Sequence, residues 1–150
     1  MVKIRESGEM LVEAWLALSS ALWNSRVVYD MTFSEVSICN LLTRNPSKTS
    51  TATELCRRTG LLKSQMNRVL RAMENKGHLT RVRSQADRRV VYLRLTEAGN
   101  AAYQREHKQI MEMVDRLVLE IGPEESQETA LRVLRLAQTL QRIQEEKETI

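Results

Sequence analysis

The pattern of apolar positions and breakers divides this chain into six helical stretches, with two short strand candidates between the fourth and fifth. Residues 7–29 carry Leu11, Trp15, Leu18 and Leu22 on one face, with Met10, Ala14 and Ala21 beside them, a spacing that predicts a long first helix. A second helix is expected from about Ser34. Thr32 and Glu35 stand three apart, as a capping box requires, and Val36, Ile38, Leu41 and Leu42 follow. Residues 44–50 read as loop, because Pro46 disfavours helix at Asn45 and the rest are turn formers. Thr51 and Glu54 repeat the capping-box spacing and open a short helix that ends at Gly60. A fourth helix is expected over about 62–76, stopped by Lys76-Gly77. Leu79–Arg83 and Val90–Leu95 then read as strands of a hairpin. Thr96 caps a long helix over 97–121, with Ile110, Met113, Val114, Leu117 and Ile121 along one face. Gly122-Pro123 interrupts it, and a last helix from Glu124 to about Gln144 is apolar at Leu131, Leu134, Ala137 and Leu140, with Ile143 beyond. The expected order is α-α-α-α-β-β-α-α, mainly helical with a small β component.

Composition narrows the class. A length of 150 residues with 42% apolar content suits one domain with its own core. Five Gly and two Pro argue against disorder and against many-turned β architectures. No apolar run reaches the roughly 18–20 residues that span a bilayer, and the N-terminus lacks the apolar core of a signal peptide. Cys39 and Cys56 form neither a disulfide framework nor a CxxC pair, so a reduced, cytoplasmic setting is expected.

Charge is distributed unevenly. The chain has 23 basic and 19 acidic residues, a net of +4. Residues 57–94 alone hold eleven Lys/Arg against Glu74 and Asp87, a local net of +9, which leaves the rest of the chain at −5. Such a concentrated surplus makes a positive surface suited to a polyanion.

Thr51–Gly77 has the organisation of a helix–turn–helix, two helices joined by a tight Gly-containing turn. In its second helix Met66, Val69, Leu70 and Met73 stand at i, i+3, i+4 and i+7 and form a buried stripe. That subtraction leaves Lys63, Ser64, Gln65, Asn67, Arg68 and Arg71 facing outward, with no acid among them. An ordinary solvated helix face would mix Glu with Lys. These six instead supply the groups that read DNA: Arg or Lys for guanine O6/N7, Asn or Gln for adenine N6/N7, and Ser for phosphate. The hairpin tip adds Arg88 and Arg89, and a narrow minor groove attracts inserted arginine. Asp87 is close enough in sequence to brace one of them. Duplex DNA is therefore the expected partner.

The segment from Leu61 to Gly77, then Arg81, then Ala86 to Gly99, resembles the multiple-antibiotic-resistance regulator (MarR) family. Its Asp-x-Arg…Leu-Thr-x-x-Gly signature is present as Asp87, Arg89, Leu95, Thr96 and Gly99. The resemblance implies a winged helix–turn–helix homodimer whose first, fifth and sixth helices interlock, with a recognition helix in the major groove and Arg89 in the minor groove. On that reading residues 1–150 form a single domain. Helices over about 1–29 and 97–150 build a dimerisation bundle, and about 34–96 form the DNA-binding region. It also implies a regulator, most often a repressor, released by a small molecule, by oxidation or by a metal. Asn67 departs from the family, which often has Thr there, so base preference stays open. Trp15, Trp23, Tyr29 and Tyr103 are candidates to line a crevice for an aromatic or phenolic effector, though aromatic helix faces commonly just pack.

Other residues invite chemistry that the pattern does not support. Cys56 sits where the two helices of the motif approach closely, and Cys39 lies beside Ile38 and Leu42, so both read as core thiols rather than redox sensors. His78 follows Gly77 and reads as the start of a strand, and His107 has no second ligand at helical spacing, so no zinc arrangement emerges. No nucleophile elbow, phosphate-cradling loop or HExxH is present, and no cofactor is implied. An enzyme is not expected. The alternative is a protein-interaction or effector-binding module that kept the fold and lost operator reading. Retention of Lys63, Arg68, Arg71, Arg88 and Arg89 speaks against it. RNA binding lacks the exposed stacking aromatics it would need.

Overall fold

Capping chemistry decides where most helices of this chain begin and end, and the computed structural model, which describes residues 2–24, 28 and 30–148, follows it closely. Helix α1 covers Val2–Asn24 and starts earlier than apolar periodicity indicated. Residues 2–6 carry no apolar stripe but form helix, with an Arg5–Glu9 pair at i,i+4. Helix α2 covers Phe33–Arg44. Its full capping box is made: Thr32 Oγ1 accepts the Glu35 N–H at 3.2 Å, and Glu35 Oε2 accepts the Thr32 N–H at 2.7 Å. Helix α3 covers Ala52–Thr59. Here the box is only half made, because the Glu54 carboxylate turns to the Arg57 guanidinium at 2.7 Å instead of back to Thr51.

Helix α4, Lys63–Asn75, ends in a Schellman arrangement. Gly77 takes φ 72°, its N–H reaches Glu74 O at 2.9 Å, and the His78 N–H reaches Met73 O at 2.9 Å. The hairpin pairs β1, Leu79–Arg83, antiparallel with β2, Val91–Leu95, in the register Leu79↔Leu95 to Arg83↔Val91. Strand β2 starts one residue later than expected, since Val90 closes the wing loop through bonds to Asp87 O and from the Ser84 N–H. Ser50, expected in a loop, forms an isolated bridge with Leu93, and bonds run both ways at 3.1 and 2.7 Å. A one-residue bridge leaves no periodic signal in a sequence.

Helices α5, Glu97–Ile121, and α6, Pro123–Glu148, complete the chain. Pro123 occupies the first turn of α6, where its missing N–H costs nothing. The helix runs past Gln144, with Arg142 paired to Glu146 at 2.6 Å. The described residues divide into two units, one up to Ile110 and one from Met111 onward. In the first, a core of Ile38, Cys39, Leu42, Leu55, Met66, Leu70, Met73, Leu79, Leu93 and Tyr103 joins α2, α3, α4, the hairpin and the start of α5. Helix α1, in contrast, leaves Leu11, Trp15, Leu16 and Leu18 more than half exposed. In the second unit Leu131, Leu134 and Leu140 are equally uncovered. Among the described residues no helix is long and apolar enough to cross a membrane.

Candidate nucleic-acid interface

The buried stripe of α4 determines which of its side chains face out. Met66, Leu70 and Met73 are fully enclosed and Val69 packs against the same core. Lys63, Ser64, Gln65, Asn67, Arg68 and Arg71 are all exposed. Ser64, Asn67, Arg68 and Arg71 line one shallow concavity of about 360 Å³, whose far end is formed by Ala72 and Asn75. Those last two were missed in the sequence, although Asn75 lies at i+4 from Arg71 and i+7 from Arg68 on the same stripe. Gln65 has a second task. Its Oε1 accepts the Leu62 N–H at 3.0 Å and satisfies an orphan donor at the start of α4. Leu62 itself, 68% exposed, is an apolar side chain at the tip of this face.

At the wing tip the chain folds around Asp87. Its Oδ1 accepts the backbone N–H of Arg89 at 2.9 Å, and its own N–H donates to Ser84 Oγ at 3.2 Å. Asp87 therefore supports the wing through the main chain. It was expected to brace an arginine side chain, but among the described residues it makes no ion pair with Arg88 or Arg89. This suits a binding role, because a guanidinium held by its own loop has less to offer a phosphate.

The cations of 57–94 are not equivalent. Arg57 pairs with Glu54, Lys76 with Glu35, and Arg81 with Glu74 through a two-pronged contact at 2.6 and 3.3 Å. Among the described residues Lys63, Arg68, Arg71, Arg88 and Arg89 enter no ion pair, and all five are exposed. Arg58, Arg83 and Arg94 are also exposed and make no ion pair among the described residues, so the unpaired charge extends from the outward face of α4 and the wing tip to α3 and the hairpin strands.

Behind the interface, the junction of hairpin and α5 is tightly built. Thr96 donates its hydroxyl to Gly77 O at 2.6 Å and accepts the Gly99 N–H at 3.0 Å, while its own N–H donates to His78 O at 3.0 Å. A Cβ at Gly99 would lie 2.0 Å from His78 O. Only glycine lets α5 start this close to the end of α4, which gives the Leu-Thr-x-x-Gly signature its physical meaning.

The remaining candidates fall elsewhere. Trp15 is 69% exposed on α1, and the Trp23 side chain and Tyr29 lie outside the described residues. Tyr103 is a core residue, its hydroxyl on Asn40 Oδ1 at 3.2 Å and its ring tilted against His107. Cys39 is fully enclosed, and burial, helped by the Glu35 charge, pushes its thiol up to about 12, so it holds no thiolate at neutral pH. Cys56 packs partly buried against the core. Among the described residues no three His, Cys, Asp or Glu side chains gather as a metal site would need.

The comparisons agree with this geometry. The MarR family model matches residues 29–90, which contain the helix–turn–helix and the wing loop. No curated protein sequence matches the chain. Among solved structures, the transcriptional repressor CouR bound to a 23-mer DNA duplex is 28% identical, with a TM-score of 0.72 over 87% of this chain and 91% of that one. The PcaV transcriptional regulator from Streptomyces coelicolor, in complex with its natural ligand, is 23% identical, with a TM-score of 0.69 over 85% of this chain and 89% of that one. NadR in complex with 4-hydroxyphenylacetate is also 23% identical, with a TM-score of 0.66 over 89% of this chain and 90% of that one. The last two share the fold.

Proposed function

We propose that this chain, a winged-helix protein of the MarR family of transcription regulators, is a cytoplasmic, homodimeric repressor that binds an inverted-repeat operator in duplex DNA. The single observation that carries the reading is the composition of the outward face of α4. Lys63, Ser64, Asn67, Arg68 and Arg71 are exposed there with no acid among them, and the nearby cations that do have acidic partners are those pointing elsewhere. On this reading Arg68, Arg71 and Asn67 read base edges, Lys63, Ser64 and Gln65 hold phosphate and the helix start, and Arg88 and Arg89 serve the minor groove. Asp87 keeps the wing tip in shape. The region over about 34–96 does the binding.

The helices over about 1–29 and 97–150 build the dimer. Leu11, Trp15 and Leu18 on α1, and Leu131, Leu134 and Leu140 on α6, are each 52–69% exposed in the single chain. Regular apolar stripes of that size need a cover, and a second copy with the same stripes supplies one by two-fold symmetry. An aromatic or phenolic effector that releases the DNA is supported by the ligand-bound structures of the same fold, with Trp15, Trp23 and Tyr29 as residues to test.

Footprinting on the DNA upstream of the chain's own gene tests the proposal. A two-fold dimer should protect an inverted repeat whose half-site centres lie about 10 base pairs, or 34 Å, apart on one side of the duplex. Five inserted base pairs should abolish tight binding, because a rigid dimer cannot follow the half-turn. Binding that ignores the insertion would overturn the dimer reading. Failure to prefer any duplex over random DNA would leave the protein-interaction module standing.

A further inference from the structure

Two carboxylates lie deep in the first unit, Glu35 on α2 and Glu106 on α5, each 2% exposed. A carboxylate is buried only when its oxygens are bonded, so the partners of these two show what they hold. Glu106 Oε2 accepts the backbone N–H of Asp30 at 3.1 Å. Glu35 Oε2 accepts the backbone N–H of Thr32 at 2.7 Å, and its Oε1 accepts Lys76 Nζ at 2.8 Å. Met31, between the two bonded amides, is 4% exposed in the core. The segment that leads into α2 is therefore held at alternate residues by two buried carboxylates, with the intervening side chain seated in the core. Lys76 is the C-cap of α4, and its side chain crosses to a residue 41 positions earlier. One carboxylate, Glu35, thus bonds both the segment leading into α2 and the end of the helix whose outward face is the interface.

We infer that Glu35 and Lys76 are a positioning pair that ties residues 30–32 to the C-terminal end of α4 and so sets the attitude at which α4 meets DNA. The inference rests on the DNA-binding reading above. It withdraws Lys76 from the phosphate contacts, although Lys76 belongs to the basic segment and is 41% exposed. Its ammonium is committed to a carboxylate that has left water, where the attraction between opposite charges is least screened. Glu35 stays charged for the same reason: burial alone would raise its pKa, but the Lys76 and Thr32 hydrogen bonds outweigh burial and hold it below the usual carboxylate range. A shift of the segment at 30–32 must either break the Thr32 N–H bond or carry Glu35 with it, and the end of α4 follows through Lys76. Arg81 and Glu74 fasten the wing to the same end of α4, so helix and wing would move together.

The salt dependence of binding to the footprinted operator separates positioning from phosphate contact. Loss of a phosphate-contacting lysine reduces the slope of log K against log salt by about one. Lys76→Met should instead leave the slope unchanged and lower affinity roughly five- to 150-fold, the range of coupling between linked sites. Glu35→Gln, which changes nothing near DNA, should do the same, because its amide nitrogen would face the Lys76 ammonium. Lys76→Arg should restore most of the affinity. The double variant Glu35→Gln/Lys76→Met should be no weaker than the weaker single variant, since one link is broken once. It also leaves no buried charge unpaired, and it keeps the test alive if Lys76→Met alone does not fold. Hydrogen exchange at the Thr32 amide should accelerate in the Lys76→Met protein without DNA. A flattened slope with unchanged Thr32 exchange, or a Glu35→Gln protein that binds like wild type, overturns the inference. If wild type prefers no duplex, the DNA reading fails, and exchange at Thr32 alone decides whether the tie exists.

Discussion

Replacing Gly99 by alanine should destabilise this protein although the position is helical, and the sign of the effect tests the account of the hairpin–α5 junction. Helix propensity alone predicts the reverse, since Ala is favoured over Gly in a helix interior by about 1 kcal/mol. Against this, the new Cβ would stand 2.0 Å from His78 O and 2.7 Å from His78 C, where ordinary contact begins at 3.4 Å. The obstacle is backbone, so relief requires the start of α5 to retreat by more than about 1 Å from the end of α4. That retreat stretches the Thr96 N–H bond to His78 O and the Thr96 hydroxyl bond to Gly77 O. Losing the two costs about 2 kcal/mol at about 1 kcal/mol each, and residual strain adds about 1–3 kcal/mol. After the propensity gain, a net loss of about 2–4 kcal/mol is expected. For a chain of this length that is a Tm lower by roughly 5–15 °C. Urea and thermal unfolding followed by far-UV circular dichroism will measure it. A Gly99→Ala protein as stable as wild type, or more stable, refutes the close approach and with it the explanation of the Leu-Thr-x-x-Gly signature.

Three further outcomes are expected. Arg68→Ala should cost about 1–3 kcal/mol of operator affinity and relax base preference, whereas Arg89→Ala should weaken binding to most sequences and flatten the salt slope; titrations on operator and scrambled duplexes at several salt concentrations distinguish them. Because the folded-state pKa of Glu35 lies below its usual value, its contribution to stability should be complete above the ordinary carboxylate range and lost as pH falls through the folded value. Melting curves between neutral pH and pH 3 should show that loss in wild type and less of it in Glu35→Gln. Deleting residues 124–150 should uncover the apolar stripe of the remaining bundle and cause dissociation or aggregation, and a truncated chain that sediments as a soluble, DNA-binding monomer would refute the dimer.

Local physics made much of the interface legible in the chain itself. The Met66-Val69-Leu70-Met73 stripe needs only helical periodicity to define its opposite face, and the six residues the subtraction named are all exposed on α4, together with Ala72 and Asn75, which it did not name. Thr32, Thr51 and Thr96 cap helices, and Gly60 and Gly77 take left-handed backbone at φ 72°, because caps and turns are decided within a few residues. The eleven cations of 57–94 were countable, and the mainly helical order with one hairpin followed from period and breakers alone. What the sequence could not assign was partnership across distance. Which cations are spent on Glu35 and Glu74, that Ser50 bridges Leu93, and that Gly99 faces a carbonyl 21 residues earlier are facts of packing. A charge or a glycine looks the same in a sequence whether its neighbour is water or a buried group from another element. Only the tertiary fold brings that neighbour within the few ångströms where hydrogen bonds and ion pairs form, and so decides which charges stay without an ionic partner.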